Sequence, residues 1–142
     1  MLNLEHKFKA YYLTAVFSLI FAVTGFSYNA WRMEVTEDNS NVRTASFETL
    51  LVLAELQQLI YSAHYDQDMV SGNPRIGWVK IGLISDLSIL ISQPVIHTAT
   101  ELHQSWTVHW NKIQNDKKSV DLLINDIDSV RAAIKQKLIN LE

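Results

Sequence analysis

The residues in this sequence best suited to chemistry are histidines. His97, Glu101, His103 and His109 lie close together, and His97 and Glu101 are spaced i,i+4. On a helix that spacing sets an imidazole beside a carboxylate, an arrangement that can hold a metal ion. The set does not converge. At 100° of rotation per residue, His103 and His109 point about 120° apart and flank an apolar stripe, while His97 and Glu101 lie on its polar side. His97, Glu101 and His103 are candidate metal ligands only if His64 or a carboxylate joins them from another helix. The same condition applies to a haem. The expectation is therefore no metal and no cofactor.

Asp66-Gln67-Asp68 begins like a calcium loop. Counted from Asp66, however, Ser71 stands where that loop needs glycine, and Gly77 stands where it needs glutamate. The sequence has no glycine-rich phosphate loop, no G-x-S-x-G elbow, no H-E-x-x-H and no cysteine. The expectation is a protein that is not an enzyme.

The elements that must carry these residues begin with a run of 22 uncharged residues, Ala10 to Trp31. At 1.5 Å per residue, that length crosses a hydrocarbon core about 30 Å thick. Tyr11 and Tyr12 at one end, with Tyr28 and Trp31 at the other, match interfacial aromatic belts. The run lacks the polar stripe of a core helix and is longer than the apolar region of a cleaved signal peptide. It reads as a signal anchor.

Lys7 and Lys9 precede the run, whereas Arg32 follows it together with Glu34, Glu37 and Asp38. The positive-inside rule then leaves residues 1–9 in the cytoplasm and places the remainder across the membrane. The absence of cysteine and of N-x-S/T sequons suits a bacterial inner-membrane protein with a periplasmic domain. After the run, 10 Lys/Arg face 14 Asp/Glu, a balance of −4, and no basic patch invites nucleic acid. The expected partners are the lipid bilayer and another membrane or periplasmic protein, or a second copy of the chain.

The expected fold class is all-α: one transmembrane helix at 10–31, a polar stretch at 32–43 that is a linker or a continuation of that helix, and an up-and-down four-helix bundle at 44–142. Periodicity places the bundle helices at about 44–65, 74–92, 94–115 and from Ser119 onward. Pro74 follows Asn73, and Pro94 follows Gln93, as helix starts.

The third and fourth of these helices carry one apolar stripe each: Val95, Ala99, Leu102, Trp106, Trp110 and Ile113, then Val120, Leu123, Ile127, Val130, Ile134, Leu138 and Leu141. The first two are apolar on two faces. Phe47, Leu50, Leu51, Ala54, Tyr61 and Tyr65 oppose Val52, Leu53, Leu56, Leu59, Ile60 and Ala63. In the second helix, Ile76, Val79, Leu83 and Ile84 lie in front of Trp78, Ile81 and Ile89.

A helix in a lone bundle needs only one apolar face, and monomers avoid large exposed apolar patches. Val52, Leu56, Leu59, Ile60, Trp78, Ile81 and Ile89 are therefore the expected interaction surface. The function that follows is non-enzymatic protein–protein contact at a membrane, in an accessory subunit or a homo-oligomer. An extracytoplasmic ligand-sensing four-helix domain signalling through a partner is the first alternative. A histidine-based metal or haem protein is the second.

Overall fold

The computed structural model describes the backbone of residues 2–141 and the side chains of residues 6–141, so the first five side chains of the 1–9 segment lie outside it. The described residues form four α-helices and no strand: α1 (Leu2–His64), α2 (Pro74–Ser88), α3 (Gln93–His109) and α4 (Lys117–Ile139). The chain divides into two compact units, Met1–Asp38 and Asn39–Glu142.

The length of α1 follows from what its sequence lacks. No proline occurs before Pro74, and Gly25 is its single glycine. These are the two residues that interrupt helices most strongly. The polar stretch 32–43 is helical throughout. Asn and Ser signal solvation there without breaking the backbone, and the Thr36 hydroxyl donates to the Arg32 carbonyl at 2.8 Å. The stretch is thus a continuation of α1 and contains no irregular linker.

In the first unit every side chain from His6 to Asp38 is exposed. α1 is the one described helix long and apolar enough to cross a membrane, with a mean hydropathy of 1.6 in its most apolar window and none of that window buried. Thr14 and Thr24 donate their hydroxyls to the carbonyls of Ala10 and Ile20, four residues back, at 2.9 and 2.8 Å. Those groups therefore need no solvent partner.

In the second unit the four helices share one core, which includes Leu53, Leu56 and Ile60 of α1, Ile81 and Ile84 of α2, Leu102 and Trp106 of α3, and Leu123, Ile127 and Ile134 of α4. Turn chemistry sets the helix ends. After His64, Gln67 takes a left-handed conformation (φ 53°), and its side-chain amide donates to the His64 carbonyl at 2.7 Å. One carbonyl left open at the helix end is thereby satisfied. Gly72 is required by close approach, because a Cβ there would stand 2.5 Å from the backbone nitrogen of Ala63.

Asn73 caps α2 through Oδ1, which accepts from the Arg75 amide at 3.0 Å, with Pro74 following at the helix start. α4 is capped by Asp116 and starts at Lys117, before the Ser119 start that the periodicity suggested. The Asp116 carboxylate accepts from the Lys118 amide at 3.1 Å and from the Ser119 hydroxyl at 2.6 Å. Ser119 sits one turn further in, buried.

Polar ties join the helices across the core. Lys80 pairs with Glu55 between α2 and α1. Arg131 donates to Gln57 Oε1 at 3.0 Å between α4 and α1. His64 Nδ1 bonds the Ile113 carbonyl at 2.9 Å.

Candidate functional site

The structure moves most of the expected interaction surface indoors. Val52, Leu56, Leu59 and Ile60 are buried in the core, and so is Ile81. Trp78 is half-buried, its ring edge-on to those of Trp106 and Trp110 at centroid distances of 6.4 and 6.5 Å. Of the seven residues only Ile89 is open, at 68% exposure.

The physical reason lies in small side chains. α2 turns Gly77, Ile81, Ile84 and Ser88 inward. Gly77 lies flat against the buried Trp106 indole, and a Cβ there would fall 2.2 Å from Cζ2. α1 likewise buries Ala45, Ser46 and Thr49 on the same side as Leu53 and Leu56. Reading only large apolar residues chose the opposite faces, because a glycine facing a tryptophan carries no hydropathy signal.

Much of what the sequence assigned inward emerges instead, with Ile84 buried and Leu50 and Tyr61 half-buried as exceptions. On α1, Phe47 is 62% exposed and Leu51 61%, with Tyr65 also open. On α2, Val79 is 71% exposed and Ile76 and Leu83 are exposed beside it, as is Leu90 just past the helix end. The two helices meet along a line marked by the Lys80–Glu55 pair. Thr44, Ala45 and Glu48 of α1 line a shallow groove there with Leu87 of α2 and Leu90 just beyond it. The surplus of apolar surface on these two helices survives folding, carried by residues other than the expected ones. This exposed α1–α2 surface is the candidate site. The spacing of Phe47, Leu51, Ala54, Tyr61 and Tyr65 was the sequence signal that could have identified its α1 half.

The histidines are dispersed. His97 Nδ1 lies 3.5 Å from Glu101 Oε2, with both side chains open to solvent. His103 stacks edge-on against Trp78 at 5.8 Å. His109 Nδ1 bonds the Ser119 hydroxyl at 2.8 Å, and His64 serves the Ile113 carbonyl. Among the described residues no three His, Cys, Asp or Glu side chains stand together as a metal set.

The Asp66–Asp68 stretch is a turn. Asp68 Oδ1 accepts from the amides of Val70 and Ser71 at 2.9 and 3.2 Å. A hydrogen bond from the Ser71 side chain, then these amides, hold its carboxyl below the ordinary range. The Ser119 hydroxyl does the same for Asp116. Lys117, hydrogen-bonded to Asp121, is raised above the usual ammonium value. These shifts belong to turn and helix-start geometry and draw no groups together around a reacting centre.

No family model matches the chain, and no curated protein or solved structure matches it.

Proposed function

We propose that this protein is held in a membrane by the Ala10–Trp31 segment of α1 and that its four-helix domain acts by binding protein, without catalysis. The observation that carries the reading is the run of exposed side chains from His6 to Asp38, which includes 22 successive uncharged residues. Such a surface is stable in hydrocarbon and costly in water, at about 25 cal/mol for each Å² of apolar area. The internally bonded threonines suit the same medium.

The charge pattern favours an inner-membrane protein with a cytoplasmic N-terminus and a periplasmic up-and-down bundle. Lys7 and Lys9 stay inside, while the acidic Glu34, Glu37 and Asp38 follow the segment. The exposed α1–α2 face gives the domain its means of contact, as an accessory subunit or a homo-oligomer.

Alkaline carbonate extraction of membranes tests the anchor, with the protein expected in the pellet. Reporter fusions at the C-terminus test the orientation and are expected to be active only outside the cytoplasm. Native mass measurement in mild detergent tests the contact. A monodisperse single chain that stays soluble without detergent would refute the reading.

A further inference from the structure

Along α1 the exposed residues of the second unit keep a register of their own, which meets the edge of the core at the half-buried Tyr61. Phe47, Leu51, Ala54, Gln58, Tyr61 and Tyr65 follow one another at intervals of four, three, four, three and four. This is the a/d spacing of a coiled-coil seam. Phe47, Leu51, Ala54, Gln58 and Tyr65 are exposed, whereas Leu53, Leu56 and Ile60 face the core from the opposite side.

Counted back through the sequence, the same phase falls on Phe26, Ala30 and Met33 in the first unit. These residues line a shallow groove with Asn29. Positions i, i+3, i+4 and i+7 are the four that surround a knob in knobs-into-holes packing. The heptad phase does not slip between the two tracts, although its intervening positions are the polar Glu37, Ser40 and Thr44.

We propose that two copies of this chain pair in parallel along α1 through this seam. The inference rests on the anchor reading, because a shared membrane orientation makes two α1 helices meet parallel and in register. Each seam position then faces its own duplicate.

Charge selects the same partner. In a parallel pair, a g residue of one helix meets the e′ residue five positions on in the other. With Leu51 at a, Arg43 is g and Glu48 is e, five residues later. Both are exposed, and no ion pair within the chain is found for either among the described residues. Glu37 at an a position opposes its own copy, a like-charge contact that weakens the pair locally.

The chain has no cysteine, so single substitutions report on proximity without background. Leu51→Cys and Ala54→Cys, in the full chain in native membranes under mild oxidation, should each form same-residue disulfide dimers. Their yield should exceed several-fold that of Val79→Cys on the exposed face of α2. Arg43→Glu should lower the Leu51→Cys dimer yield, and the swap Arg43→Glu with Glu48→Arg should restore it. Equal or greater cross-linking at Val79, or none at the seam, overturns the pairing. Carbonate extraction of the same membranes separates the two ideas. Protein that resists extraction yet gives no seam dimer sinks the pairing alone, whereas protein that washes off removes the anchor.

Discussion

Residues 6–38 and 39–64 belong to one continuous helix, and both are rich in large apolar side chains. In the first stretch Phe17, Ile20, Phe21 and Phe26 are all exposed. In the second, Leu53, Leu56 and Ile60 are fully covered by α2, α3 and α4, while Phe47 and Leu51 stay open on the other side. Between Ala10 and Trp31 the first stretch carries no charge on any side, and none of it is covered by the chain. The second is apolar on two sides, and its own domain covers only one. Hydropathy alone therefore does not say what hides a side chain. The angular distribution of apolar residues does, because lipid covers every direction and a packed domain covers one.

Substitutions can break or sharpen that contrast. The largest effect is expected in the core. Leu56→Ala should cost the domain about 2–5 kcal/mol by leaving a cavity, read as a lower melting point. Phe17→Ala, an apolar truncation in the first stretch on the side away from the proposed seam, should leave the same melting point unchanged. A comparable drop for both would mean that the first stretch also packs against protein.

Phe21→Arg, near the middle of the apolar run, should cost about 2.5–3.5 kcal/mol of membrane insertion. It should reduce the carbonate-resistant fraction without altering the domain's melting. Gly77→Ala should cost about 1–3 kcal/mol by driving a methyl into the Trp106 indole. This tests whether α2 turns its small-residue face inward. If the variant is as stable as the parent, α2 is rotated.

Smaller still is Ser46→Ala. The Ser46 hydroxyl is buried with no hydrogen-bond partner among the described residues, so removing it should stabilise the domain by up to about 1 kcal/mol. Its counterpart in the first stretch, Ser18→Ala, should leave domain stability unaltered.

The weakest expected effect is pH-dependent. The folded-state carboxyl of Asp116 is lowered, chiefly by the Ser119 hydroxyl. Its contribution is therefore present above the unfolded value near 3.8 and is lost as pH falls through the lower folded value. The stability difference between the parent and Asp116→Ala should accordingly be seen at neutral pH and shrink at the acid end of a denaturation series.

Much of the fold was legible in the sequence. Pro74 with Asn73, and Pro94 with its polar neighbours, marked the starts of α2 and α3, because proline fixes the backbone at a helix start. The single stripes of α3 and α4 hold along most of their length, since Val95, Leu102 and Trp106, and Leu123, Ile127 and Ile134, are all buried, but they fail at the helix ends, where Trp110 is exposed and Leu138 and Leu141 are half-buried. The start of α4 was misplaced, because Asp116 and Ser119 both cap well in isolation and only the built turn shows which carboxylate meets the free amides.

The candidate surface was half legible. That α1 and α2 carry more apolar faces than a lone four-helix domain can cover followed from side-chain spacing. Which faces those are did not.

By itself the sequence determined an all-helical chain with one uniformly apolar segment and two helices greasy on both sides, because helical period and side-chain polarity are local properties. Only the tertiary structure decided that Gly77 and Ser88 face the core and that Phe47, Leu51 and Val79 face outward. On α2 the choice depends on the shape of Trp106 on α3, which fits over a glycine and leaves no space for a leucine. A residue's own hydropathy carries no information about the volume of the neighbour it will meet.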